Sequence, residues 1–583
     1  LFVYACQVWP PGALYIINIH VSGGLEMEKT WFKSYAEKIP RNLDYEKITV
    51  SDALRKVAAE YPDKTALIFL DAKISYKKLN DMVNSFATAM IDMGIKPGDK
   101  VAMLLPNMPQ IVAASYGAWR AGAVVVMNNP LYTDHELEYQ LNNSESTILV
   151  TLDLLAPRMI ALRPKTKVKK IIVAHIRDHL GFPKKQLLPI VAKDKHRDIP
   201  RTEEVYEWLD VLKKYPANDP KIPIDFNSLA NLQYTGGTTG VSKGVMLTHS
   251  NLSSNVQQIR SWFPYFEKGE LIMAGILPFF HSFGLTTVMN FSIWMAGSDV
   301  LIPRPEPLAI LQAVQKYKIN FYPAVPTIYT GLLNHPDIGK YDISSIKGCF
   351  SGAAPLPVDV IREFEAKTGA QICEGYGLSE SSPVATINPW GGRTKPGSIG
   401  LPIPDTELKI VDLDEGTKEM PTGEPGEVLI KGPQVTSGYY NMPEESAKTI
   451  RDGWLYTGDI GQMDEEGYFY IVDRKKDMII AGGYNIYPRD IDEVLFEHPK
   501  IMEACAIGIP DSYRGETVKA FVVLKPGESM TTDEVIEYCK QKLAKYKVPT
   551  HVEFIETLPK SGVGKILRKE LRAMELEKMG KTG

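Results

Sequence analysis

The stretch Tyr234-Thr235-Gly236-Gly237-Thr238-Thr239-Gly240-Val241-Ser242-Lys243-Gly244 concentrates groups that can hold a phosphate chain. Its glycines permit positive φ and let backbone N–H groups come close to an anion. Successive N–H groups in such a turn make a concave anion site. The Thr and Ser hydroxyls and the Lys243 ammonium add donors and charge for phosphate oxygens. The apolar residues Leu229 to Tyr234 read as a strand, which puts the glycine-rich turn where α/β proteins bind ligands. The P-loop spacing G-x-x-x-x-G-K-[ST] is absent. A flexible linker is the bland alternative, but Val245-Met246-Leu247 continues the turn as an ordered apolar run.

The elements that must position this turn alternate. Leu54, Val57, Ala58 and Tyr61 fall on one helical face, with Ser51 as the expected N-cap. Leu79, Met82, Val83, Phe86 and Met90 repeat that spacing. Strands are expected at 101–105, 124–127 and 147–150, with helices at 109–121 and 134–142 between them. Residues 176–225 are charged and Pro-rich without a clear period and read as a surface excursion. Alternation resumes with strands at 271–277, 299–302 and 319–323 and helices at 285–296 and 307–317. Such alternation implies parallel sheets with right-handed crossovers. After about residue 395, Gly and Pro become frequent and runs shorten, at 408–411, 427–430 and 468–471, as in a small β-rich unit. A last alternating unit follows, with strands near 501–509 and 518–524 and a helix near 531–545. The fold class is therefore α/β: a large N-terminal domain over 27–475, its 395–475 part β-rich, and a C-terminal α+β cap over 476–583.

At 583 residues the chain exceeds one ordinary core. A net charge of −4 gives no support for a nucleic-acid partner. The five cysteines form no C-x-x-C pair, so neither a disulfide frame nor a zinc site is expected from them, and a reducing cytoplasm is the plain reading. Residues 1–19 are nearly all apolar and uncharged, yet they lack the basic region and cleavage site of a signal peptide. Residues 1–26 read as a non-native leader. A ribosome-binding GGAGG translates to Gly-Gly, as at Gly23-Gly24, which makes Met27 the expected initiator. A membrane-surface anchor is the rival reading.

Four further motifs follow the glycine-rich turn in order: Gly375-Tyr376-Gly377-Leu378-Ser379-Glu380, Tyr456-Thr457-Gly458-Asp459, Asp473-Arg474-Lys475-Lys476-Asp477 and Pro559-Lys560-Ser561-Gly562-Val563-Gly564-Lys565. Together they resemble the adenylate-forming superfamily of acyl-CoA synthetases, luciferases and adenylation domains. The resemblance spans about 45–572. Glu374 to Leu378 with Asn388-Pro389, and Val472 to Asp477, are most similar to bacterial long-chain fatty-acid–CoA ligases. It implies a reaction in which ATP and a carboxylate give acyl-adenylate and pyrophosphate, after which CoA displaces AMP.

The resemblance also implies roles. Thr235, Gly236, Gly237, Thr238, Thr239, Gly240 and Lys243 would hold the β and γ phosphates. Glu380 would hold Mg2+, and Ser379 stands where the family usually has threonine. Tyr376 would stack on adenine, beside Gly352, Ala353, Ala354 and Gly375. Gly377 replaces a bulky residue of short-acid members, which would leave an acyl tunnel open; Phe283, Gly284, Leu285 and Val288 after His281 would line it. His281 is similar to the family's gate near the carboxylate. Asp459 would accept from the ribose hydroxyls and Arg474 would donate on the same side. Lys565 would bridge carboxylate and α-phosphate, Lys476 would be the hinge of a rotating cap, and Gly482, Gly483 and Tyr484 would face CoA. Family precedent adds a homodimer and peripheral contact with the inner face of the membrane. The alternative substrate is an aryl or other carboxylic acid.

Overall fold

Helix–strand alternation builds two sheets that lie on either side of shared helices. The computed structural model describes residues 29–191, 196–200, 202–235, 242–481, 484–511, 513–560 and 566–580. The expected leader lies outside them. One sheet runs in the order 205–207, 170–174, 148–152, 100–104, 124–127, 229–235, 243–248, parallel except for the last strand. The other has nine strands, with a parallel centre from 65–69 to 371–377 and antiparallel edges. The helix Pro109–Arg120 is buried along its whole length, which its Ala- and Gly-rich sequence allows. At Gly117 a Cβ would come within 2.8 Å of the Phe86 ring, so glycine there lets the helix Tyr76–Asp92 approach.

The β-rich section is a separate antiparallel sheet of 407–411, 426–431, 450–451, 454–463 and 469–474. The C-terminal unit has its own sheet, centred on the long pair Ile501–Asp511 and Gly515–Leu524, and its own core. Among the described residues, no helix is long and apolar enough to cross a membrane.

Three expectations change. Thr49, not Ser51, caps the first helix: its hydroxyl accepts from the Asp52 amide at 3.1 Å, while Ser51 sits inside and accepts from the buried Arg120 at 3.3 Å. The helix expected at 285–296 starts at Ser282, and its middle, Leu285–Asn290, is a π-helix, a form that tends to mark functional sites. The 176–225 excursion is partly integral to the fold. Val205–Glu207 adds a sheet strand, and Trp208 is buried against Phe86 with ring centroids 5.2 Å apart. Segments this short carry too few residues to show a period.

Asp299, on the strand Ser298–Leu301, is 1% exposed, and neither carboxyl oxygen has a hydrogen-bond partner among the described residues. Burial raises its pKa well above the carboxylate range. Between the usual value near 4 and its own raised one, folded Asp299 holds a proton that the unfolded chain has lost. Stability therefore falls as pH rises through that window. Asp299→Asn is expected to melt a few degrees above wild type at about pH 8 and level with it near pH 4. Thermal melts at both pH values check this; an equal shift at both would contradict it.

Candidate active site

The strand Leu229–Thr235 and its antiparallel partner Lys243–Thr248 are the two stems of the glycine-rich turn, with Thr235 opposite Lys243. Gly236, Gly237, Thr238, Thr239 and Gly240 lie outside the described residues. Thr248 and Asn251 form a capping box that starts the following helix, which anchors the second stem. Lys243 does not extend freely. Its ammonium pairs with Glu445 and lies 5.0 Å from the Tyr439 ring centroid. The Tyr439 hydroxyl in turn donates to Glu380 Oε1 at 2.8 Å. The turn and the Gly-Tyr-Gly-Leu-Ser-Glu motif are thus linked through one tyrosine.

Glu380 sits on the short 3-10 turn Ser379–Ser381 that follows the strand Gln371–Gly377. The Leu378 amide donates to Ser381 Oγ at 3.0 Å, closing that turn. Burial raises the Glu380 pKa, and the Tyr439 hydrogen bond and Lys243 charge offset this in part. The Ser379 hydroxyl meets Ser282 Oγ at 3.1 Å.

Asp459 stands opposite Arg474 in the antiparallel pair of strands Trp454–Met463 and Phe469–Arg474. That register brings Arg474 Nε to 3.2 Å from Asp459 Oδ1. Tyr376 reaches across from the nine-stranded sheet and donates to Asp459 Oδ2 at 2.6 Å. Burial raises the Tyr376 pKa, so the phenol stays a donor. An ionised carboxylate offers about four acceptor positions, which leaves capacity for further hydroxyl donors. The Asp459 charge raises the Arg474 pKa.

Gly352, Ala353 and Ala354 form a turn whose far end is fixed by Glu374, which accepts from the Leu356 amide at 3.1 Å. Ala353 has φ of 73°, a left-handed backbone that a non-glycine residue rarely takes. At Gly375 a Cβ would press on the Phe350 ring and the Thr386 carbonyl. Ala353 also lines an apolar cavity of about 180 Å³, together with His281, Phe283, Gly284, Thr327 and Ile328. Leu285 and Val288 are buried core instead. His281 Nδ1 accepts from the Phe283 amide at 3.2 Å, which starts the helix beside this cavity.

Gly377 has a different reason for being glycine than an open tunnel. A Cβ there would overlap the Pro383 carbonyl, at a register shift between the strands. Gly377 does not line the cavity. Backbone crowding therefore accounts for it.

The side chains of Lys475 and Asp477, on either side of Lys476, find partners in different units. The Lys475 amide donates to the Gly458 carbonyl at 2.9 Å, and its ammonium lies 3.1 Å from Glu427, both in the β-rich section. Asp477 pairs with Arg572 of the C-terminal unit at 2.8 Å. Lys476 is the one residue between these anchors. Tyr484 is exposed and stacks on Tyr546 with centroids 4.7 Å apart. Gly482, Gly483 and Lys565 lie outside the described residues.

Tyr439 and Glu445 were missed by sequence reasoning. Neither sits in a motif, and only the fold brings Tyr439 beside Glu380 and Glu445 beside Lys243. The Gly-Tyr-Tyr at 438–440 carries no signal beyond that of a turn.

A nucleotide-shaped constellation on a two-domain α/β frame defines the class. The chain belongs to the AMP-binding enzyme family, which it matches over residues 54–440, and the AMP-binding enzyme C-terminal domain matches over 490–565. It is similar to the long-chain-fatty-acid–CoA ligase of Bacillus subtilis, at 47% identity over 95% of this chain and 99% of that protein. The protein of the same name from Escherichia coli O6:H1 is 38% identical over 94% of this chain and 98% of its own length. Among solved structures, ATP-bound MatB from Rhodopseudomonas palustris superposes with a TM-score of 0.80 at 30% identity, covering 90% of this chain and 99% of that one.

Proposed function

We propose that the protein is an ATP-dependent ligase that activates a medium- or long-chain fatty acid as its acyl-adenylate and passes the acyl group to CoA, releasing pyrophosphate and AMP. One observation carries the reading. The Gly352-Ala353 turn passes beside Gly375, and Ala353 also lines the apolar cavity, so a nucleotide and an aliphatic chain would meet at one point. The Bacillus subtilis and Escherichia coli relatives both carry the name long-chain-fatty-acid–CoA ligase, which favours the alkyl reading over the aryl alternative.

The residues then divide the work. Asp459 accepts the ribose hydroxyls while Arg474 and Tyr376 hold its carboxylate in place. Tyr376 and Gly375 face the base with Gly352, Ala353 and Ala354. The glycine-rich turn and Lys243 take the β and γ phosphates, where Lys243 exchanges Glu445 for phosphate oxygens. Ser379 adds a hydroxyl, and His281 stands where the carboxyl end of the chain enters. Glu380 fits Mg2+: it is a carboxylate whose burial leaves its charge poorly compensated, and Mg2+ is held by one or two carboxylates plus substrate phosphates. Mg2+ bound there would offset the charge that builds as two anions approach. Lys476 is the pivot between the body and the cap over 476–583, since its neighbours are tied to opposite sides. Rotation about one or two residues is enough for such a movement. The cap would bring Lys565 for the first half-reaction and Gly482, Gly483 and Tyr484 for the second.

The direct test is AMP formation with ATP and CoA over acids from acetate to stearate and a set of aryl acids. Activity confined to short or aryl acids would overturn the reading. Thr327→Phe, on the exposed part of the cavity wall, is expected to lower kcat/KM for long acids by about tenfold or more and leave pyrophosphate release with short acids unchanged. A uniform loss across chain lengths would place the acyl group elsewhere.

A further inference from the structure

Asp153, His175 and His196 converge far from the nucleotide constellation. His175 Nδ1 lies 2.9 Å and His196 Nδ1 3.1 Å from the same oxygen, Asp153 Oδ2. These three atoms all lie within 4.8 Å of one another. Asp153 is fully buried and His175 is 6% exposed on its side chain. The far ring nitrogens also meet carboxylates: His175 Nε2 is 2.7 Å from Glu207 Oε2, and His196 Nε2 is 3.2 Å from Asp198 Oδ1.

This arrangement is unbalanced for neutral imidazoles. A neutral ring has one N–H and one lone pair, yet each ring meets a carboxylate oxygen at both nitrogens. One nitrogen of each ring then turns a lone pair toward an oxygen lone pair. A cation between the Nδ1 atoms and Asp153 removes the conflict. Each ring would then donate its Nε2–H outward, to Glu207 or Asp198. Metal-bound histidines are oriented by such outer carboxylates. Tetrahedral ligands at about 2.0–2.2 Å from zinc stand roughly 3.3 Å apart, a few tenths beyond the spacings seen here.

We propose that Asp153, His175 and His196 bind a first-row divalent cation, Zn2+ in the first instance. Two imidazoles and a carboxylate suit zinc. The topology supports a structural role. Asp153 and His175 follow the adjacent parallel strands Ile148–Leu152 and Lys170–Ala174, and Glu207 ends the next strand. His196 comes from the irregular segment between the last two strands, so the cation would tie that segment to the sheet edge. Three strand spacings, about 14 Å, separate Ile148–Leu152 from the phosphate-turn stem Leu229–Thr235. The cation would therefore take no part in acyl transfer. Any proton on Nδ1 leaves to solvent as the metal enters.

The test uses the full chain, stripped with a chelator and dialysed against Zn2+ alone, with bound metal measured by mass spectrometry. The expected result is about one Zn2+ per chain and a raised melting temperature. His196→Gln, at the more exposed ligand, is expected to bind Zn2+ at least tenfold more weakly and lose that thermal gain. Co2+ is expected to give a tetrahedral visible spectrum in wild type that His196→Gln lacks. The exposed control His135→Gln is expected to behave as wild type. Failure of the wild-type chain to retain Zn2+, as when two ring protons suffice to balance the cluster, would overturn the proposal. Equal binding by wild type and His196→Gln would overturn it as well.

Discussion

Glu380→Gln is expected to slow acyl-adenylate formation by about a thousandfold, while leaving the melting temperature close to that of wild type. Glutamine keeps an oxygen that can accept from the Tyr439 hydroxyl, which now donates at 2.8 Å, so the local packing survives. Only the charge is lost. Removing one electrostatic group at a developing charge costs about 10²–10³ in rate, and in the proposed role the lost group would also hold a dication. ATP–pyrophosphate exchange measures the step, and the Mg2+ concentration at half-maximal rate is expected to rise in parallel. The pH profile gives a second readout. Burial raises the Glu380 pKa, so its ionised carboxylate is present above that raised value and lost as pH falls through it. Wild type is therefore expected to lose adenylation at a higher pH than an ordinary glutamate would set, and the Gln variant to lack that limb. An exchange rate near wild type would remove Glu380 from the metal site.

Lys565→Ala is expected to cut adenylation by about 10²–10³ and to spare thioester formation from supplied acyl-adenylate. An ammonium bridging the attacking carboxylate and the α-phosphate acts only where those two anions meet. The second half-reaction has no such encounter, since the thiolate attacks a carbonyl and AMP leaves. Separate assays of pyrophosphate exchange and of CoA consumption with acyl-adenylate check the asymmetry. Equal loss in both assays would mean that Lys565 supports the cap rather than the first step.

The family was legible because its motifs restrict residue types within short stretches. Asp459 and Arg474 could each be named from a local pattern. Their pairing could not, since it comes from the register of two neighbouring strands, which sets residues fifteen apart in the chain opposite one another. The 176–225 segment shows the opposite case. Its lack of period hid both a sheet strand and the buried Trp208, because three-residue strands leave no repeat to read. Gly377 was read from the resemblance as leaving an acyl tunnel open; the crowding that a Cβ would meet there comes from the Pro383 backbone, which no local pattern reveals.

What the sequence stated by itself is the residue types and their spacing: a glycine- and hydroxyl-rich turn with Lys243, the motifs that carry Glu380, Asp459 and Arg474, and the order of helices and strands that bears them. Those follow from side-chain types and short-range spacing, which the chain states directly. Tertiary structure alone decided that Tyr439 joins Lys243 to Glu380, that Ala353 lines the apolar cavity, and that His175 and His196 meet at Asp153. These are contacts between residues far apart in the chain. They depend on strand register and on which backbone passes nearby, and neither is written in any one stretch.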